Sequence, residues 1–148
     1  MKLEVTFNTK ELTRNLEQTG QTIQSVLGRA VHAGAEVAQK EVSARAPRKK
    51  GVLAGDIIIE DKDKSKVSAT AIVKPGKRGW YGRILEGGAK AHTIKAKAKK
   101  LLSNGNHVFG AVVQHPGIRK RPFMQPAFEA KQDAIRDAVQ RVIFSVVK

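Results

Sequence analysis

Between residues 9 and 44 the apolar side chains Leu12, Leu16, Ile23, Val26, Leu27, Ala30, Ala33, Val37 and Ala38 recur mostly at steps of three and four. A 3.6-residue repeat brings those steps onto one face, so the segment reads as one long amphipathic helix. Asn8 followed by Glu11 forms a capping box at its start. Pro47 forbids extension at its end. At ~1.5 Å per residue such a helix would run roughly 50 Å, more than a small sheet can cover. Gly20, Gly28 and Gly34 allow a kink, a break into two helices, or close approach of another element.

After a basic connection, "RAPRKKGVLAGD", the period changes. "DIIIE" (56–60) and "KVSATAIVK" (66–74) read as strands, the second placing Val67, Ala69, Ala71 and Val73 on one face. "DKDKS" between them is a polar hairpin-type loop. "WYGRILEGG" (80–88) forms a helical turn stopped by Gly87-Gly88, and "HVFGAVVQ" (107–114) reads as a further strand. A last helix begins near Pro126 and carries Ala127, Phe128, Ala134, Ile135, Ala138, Val139, Val142, Ile143 and Val146 at helical spacing. The expected fold is therefore α+β: a long N-terminal and a C-terminal helix on a small, mostly antiparallel sheet. The 148 residues form a single domain on this reading, with a flexible basic loop at about 89–106.

Charge is concentrated where the pattern is weakest. Residues 74–121 hold twelve basic groups and one acid, Glu86, within a chain of net charge +15. The passage "AHTIKAKAKKLLSNG" (91–105) carries Lys95, Lys97, Lys99 and Lys100 and no acid. It reads as a long connection, and loops above ~12–15 residues are uncommon in compact domains unless they are functional or disordered. So localised a charge implies a polyanionic partner or an acidic neighbouring protein. The chain has no cysteine, which excludes disulfides and thiolate metal sites and points to a reducing cytoplasm. No apolar run approaches the ~20 residues of a bilayer span, so no membrane partner is expected.

Catalytic chemistry is hard to place. His92, His107 and His115 lie in the basic half without a partner at ligand spacing, and read as loop histidines. "KPGKRG" (74–79) has the composition of a phosphate cradle but not its spacing, and reads as a basic turn. Asp56, Asp61 and Asp63 would be the carboxylates of a nuclease's metal site. With Lys62 and Lys64 interleaved, they read instead as the solvated end of a hairpin. No cofactor and no enzymatic activity are expected.

Three segments carry a resemblance. "APRKKGVL" supplies Ala46, Pro47, Gly51 and Leu53; "YGRILEGG" supplies Tyr81, Glu86 and Gly88; "HPGIRKRPFMQPAF" supplies His115, Pro116, Gly117, Pro122, Phe123, Pro126 and Ala127. With the long first helix before them, and the His92, Ile94 and lysine-rich passage within, their order resembles the head–tail joining, or tail-completion, proteins of long-tailed double-stranded DNA phages and their prophages. The resemblance covers about residues 9 to 147. Two segments depart from it: "VLAGDIII" is less polar than usual after Gly51, and Glu86-Gly87-Gly88-Ala89 stands where Glu-Phe-Gly-Thr is usual.

The resemblance implies a non-enzymatic structural protein of the virion neck, assembled in the bacterial cytoplasm. It would form a ring, hexameric in the family, around the DNA path, against neighbouring connector and tail proteins and the DNA itself. Lys95, Lys97, Lys99 and Lys100 would then supply attraction on an assembly arm, and Leu101 and Leu102 its anchor. The alternative is a basic nucleic-acid-binding protein of cellular type. Net charge supports it, but aromatics make up only 5% of the chain, and no stacking platform is visible.

Overall fold

The structure, a computed structural model, describes residues 2–6, 23–62, 68–97 and 101–147. The beginning of the expected first helix, with Asn8, Glu11, Leu12, Leu16 and Gly20, lies outside them. So do Asp63, Lys64, Val67, Lys99 and Lys100. The described chain forms two compact units, residues 1–80 with 123–148, and residues 81–122.

The first unit has the expected α+β architecture. Helix α1 spans Ile23–Arg45. Its buried residues Val26, Leu27, Ala30, Val31, Gly34, Ala35, Ala38 and Val42 occupy two adjacent lines rather than one. A stripe that wide has two neighbours to cover it, a sheet and a second helix. The helix ends because a residue before proline is driven out of the helical region. The Ala46 amide makes the last helical bond, to the Val42 carbonyl at 2.9 Å, and Pro47 follows.

The sheet has the order β1-β3-β2, from strands β1 (Lys2–Thr6), β2 (Ile57–Lys62) and β3 (Ser68–Pro75), all antiparallel neighbours. In β3 burial alternates strictly, with Ala69, Ala71, Val73 and Pro75 inward. Three of those four are alanine or valine, so the helix packs close to the strand. The Gln39 amide of α1 donates to the Ile57 carbonyl at 2.7 Å and ties the helix to the edge of the sheet. On the opposite face Lys74 and Glu60 form an ion pair. Strand β1 was not expected. "KLEVT" is short, and its place is given by pairing from Lys2↔Ile72 to Thr6↔Ser68, far along the chain.

The C-terminal helix, α3, spans Met124–Val147. Pro126 sits in its first turn, where the missing N–H would have had no helical partner. Val139 and Ile143 pack against Val26 and Ala30 of α1, with Ile23, Val142 and Val146 around them. Glu41 of α1 reaches both Arg45, at 2.6 Å, and Lys131 of α3, at 3.8 Å.

The second unit begins with a short helix α2, Gly82–Gly87. Strands β4 (His92–Lys95) and β7 (Val112–His115) then pair antiparallel, as do β5 (Leu102–Ser103) and β6 (Val108–Gly110). This corrects two expectations. The passage 91–105 is not wholly a connection, because it contains β4 and β5. The strand expected at 107–114 is divided at Gly110, whose φ of 96° is open to glycine and strained for other residues.

Candidate functional site

The hairpin formed by β4 to β7 begins at a clasp made by two of the sequence motifs. At the end of α2, the Gly88 amide donates to the Ile84 carbonyl at 2.7 Å, and Gly88 itself has φ 71°. The next residue, Ala89, exchanges two backbone hydrogen bonds with Ile118, at 2.9 and 2.8 Å. The Arg121 amide donates to the Leu85 carbonyl at 2.8 Å. Gly117, with φ 86°, lies so close to this crossing that a Cβ would stand 2.4 Å from the Ala89 oxygen. His115 accepts the Gly117 amide on Nδ1 at 3.0 Å, and its ring stacks on His92 with centroids 5.0 Å apart. Thus Glu86-Gly87-Gly88 and His115-Pro116-Gly117 meet, although about thirty residues separate them. Tyr81 precedes α2 and is half-buried, as is Glu86, whereas Pro122 is exposed.

Beyond the clasp the hairpin extends as a ribbon. The rungs are His92↔His115, Thr93↔Gln114, Ile94↔Val113 and Lys95↔Val112, continued by the Ala96 amide to the Ala111 carbonyl at 2.8 Å. At the tip the Asn104 side chain accepts from the amides of Asn106 and His107, and Gly105 turns the chain at φ 93°. Side chains alternate in a two-stranded ribbon, so Lys95 and Val112 share one face and Ile94 and Val113 the other. Lys95, Lys97, Leu101, Val108, Phe109 and Val112 are exposed, with Leu101 at 61% and Phe109 at 52%. Leu102 is half-buried in β5. Among the described residues of the whole second unit, Gly82 alone is buried.

That last observation sets the chemistry. A two-stranded hairpin is marginal in water by itself, and contiguous exposed apolar side chains mark contact surfaces. Here such side chains sit beside lysines in a stretch, 91–115, that contains no acid. The arm thus presents a surface that is both apolar and basic.

The remaining motif residues serve the first unit. Ala46 and Leu53 are buried, Pro47 is half-buried, and Gly51 opens a turn with φ 71°. Phe123 is buried ahead of α3, and Pro126 is half-buried within it. Two of the three carboxylates weighed as metal ligands, Asp56 and Asp61, have other partners. Asp56 accepts the Gly79 amide on Oδ2 at 2.6 Å, and its own carbonyl accepts the Gly76 amide at 2.6 Å. The basic turn "KPGKRG" is thus closed by an acid of the same chain. Asp61 meets Nδ1 of His32 with both oxygens at 3.1 Å. Among the described residues no group of three acids or histidines is placed to hold a metal ion, and no helix is long and apolar enough to cross a membrane.

Residues 10–88 match the family model described as "Bacteriophage HK97-gp10, putative tail-component". The match takes in the described parts of α1, β2 and β3 and ends at Gly88, where the clasp begins. No curated protein and no solved structure matches the chain.

Proposed function

The chain belongs to this family of phage tail components, and from that premise we propose that it is a ring subunit of the virion neck, joining the DNA-filled head to the tail. Its work is mechanical rather than catalytic. The observation that carries this reading is the arm between β4 and β7: it exposes Leu101, Val108, Phe109 and Val112 beside lysines, in a unit with almost nothing buried. Such an arm gains its ordering contacts from a neighbouring subunit or an adjoining neck or tail protein. Each subunit of a cyclic ring, six-membered on the family resemblance, joins two different surfaces, one of which this arm supplies.

The test replaces Lys95, Lys97, Lys99 and Lys100 by glutamate and scores head–tail joining with purified heads and tails. Lys95 and Lys97 are exposed, and exposed substitutions usually change stability by within about ±0.5 kcal/mol each; circular dichroism checks that the fourfold variant folds. Heads and tails should then fail to join. Normal joining by a folded variant would remove the arm from the mechanism. A single copy or a two-fold dimer in isolated necks would remove the ring. DNA cleavage abolished by Asp56→Asn or Asp61→Asn would overturn the non-enzymatic reading.

A further inference from the structure

Two basic turns, far apart in the sequence, meet at one end of the first unit. Arg48-Lys49-Lys50 follows α1, and Lys77-Arg78 follows β3. Between them lies a single 3₁₀ turn, Ala54–Asp56, which is tied to both. On one side the Gly55 amide donates to the Gly51 carbonyl at 3.0 Å, where the first basic turn ends. On the other, the carbonyl and the carboxylate of Asp56 accept the Gly76 and Gly79 amides, each at 2.6 Å. Buried Leu53, just before the 3₁₀ turn, stands 3.1 Å from where a Cβ on Gly79 would be.

The cations are what this end leaves in solvent. Arg48, Lys49, Lys50, Lys77 and Arg78 are all exposed. The acid between the turns, Asp56, is largely covered by the contacts that hold them, and it reaches Arg78 only at 4.0 Å. Glu41, near the end of α1, is engaged with Arg45 and Lys131. Among the described residues, Arg48, Lys49, Lys50 and Lys77 have no acidic partner. The Gly76 and Gly79 amides are already taken, so an anion arriving here meets side chains rather than a backbone cradle.

These turns differ in kind from the arm, which sets its lysines beside Leu101, Val108, Phe109 and Val112. Here the cations follow one another without interruption, three and two in a row, with Val52 and Trp80 at the margins. The core of a protein–protein interface is depleted in charged residues, so such runs suit it poorly. Phosphates of a duplex are met by single lysine and arginine contacts, and the counterions released supply the free energy. We propose that this end of the first unit binds double-stranded DNA through its phosphates. The inference goes beyond the ring reading and does not depend on it, because one subunit holds the whole site.

The test compares two full-length variants with the same change of charge. One has glutamine at Arg48, Lys49, Lys50 and Lys77, the other at Lys95, Lys97, Lys99 and Lys100. Arg78 is kept as the neighbour of Asp56. Circular dichroism checks both folds, and Lys77→Gln alone repeats the test at one exposed position. Binding of a labelled duplex is followed by anisotropy from low to physiological salt. Each phosphate contact contributes about 0.9 to the slope of log K against log salt, so the first variant should lose about three to four from that slope, and Lys77→Gln about one. The arm variant should keep the parent's slope. Trp80, the one tryptophan of the chain and 62% exposed, should become shielded from acrylamide along the same isotherm. Equal losses in the two variants would reduce the binding to net charge and overturn the site. So would a loss confined to the arm variant, or duplex binding that leaves Trp80 as open as before. A parent that binds poly-glutamate and not the duplex would make the occupant an acidic protein and overturn the site as well. Failure here leaves head–tail joining by the arm untouched, and failure of joining leaves this binding in place.

Discussion

Gly117 is where a single missing Cβ matters most. Its φ of 86° costs any other residue on the order of 1–3 kcal/mol. The Ala89 oxygen adds an overlap that neither backbone relieves without breaking the paired bonds between Ala89 and Ile118. Gly105 has a similar φ, 93°, but nothing within 4 Å of its added Cβ. Gly117→Ala should therefore open the clasp, seen as faster amide exchange at Ala89, Ile118 and Arg121. Gly105→Ala should leave those three amides protected. Equal effects would mean that backbone strain, and not the crossing, is what demands glycine. The sequence shows His-Pro-Gly as a turn, since Pro and Gly are local signals. It cannot show the partner, because the Ala89 carbonyl is brought there by the hairpin between them. Asp56 is a parallel case: a polar residue before a strand by composition, a lock on Gly76 and Gly79 once the chain returns.

The elements divide in the same way. Segments α1, β2, β3, α2 and α3 are legible because each carries its own period or its own breaker: the stripe ending at Pro47, the alternation of Ala69, Ala71 and Val73, the Gly87-Gly88 stop, the proline at the start of α3. The strands β1, β4 and β5 are not. "HTIKAKAKKLLS" contains little of the β-branched or aromatic surface that favours strands, and the return strands β7 and β6 supply its pairing. The arm's basic character was thus readable and its hairpin form was not. Between α1 and α3 the sequence likewise shows two stripes but not the ionic contact at Glu41. The hydrogen bond from Arg45 holds that carboxyl below its ordinary value; partial burial opposes it, and the charges of Arg45 and Lys131 add to it. A carboxyl with a lowered folded value binds fewer protons folded than unfolded. Its contribution is present at neutral pH and is lost as pH falls through that lowered value. Glu41→Gln should therefore lower the urea midpoint at neutral pH and converge with the parent in acid. A constant difference at both pH values would assign Glu41 a packing role only.

For the whole molecule the question is what a net charge of +15 does in assembly, given that the first unit has its own core and the second has little buried. Two kinds of contact are on offer from the arm, and they respond oppositely to salt. The attraction of lysines for a negative face acts over a Debye length of ~8 Å at physiological ionic strength and ~3 Å at 1 M. Burial of Phe109, Val108 and Val112 does not weaken with added salt, and excluded anions such as sulfate strengthen it. Joining should therefore fall as sodium chloride rises, but level off above zero, and recover in part when sulfate replaces chloride at equal ionic strength. The variant with glutamate at Lys95, Lys97, Lys99 and Lys100 should reverse the first trend, joining poorly at low salt and better at high salt, because screening then removes a repulsion. DNA in place of a protein surface would give a different pattern. The parent's dependence would be steep and without a plateau, as counterion release from phosphates requires, and nuclease treatment would abolish it. A nuclease-resistant plateau is the outcome that an apolar and basic arm seated on another protein's face demands.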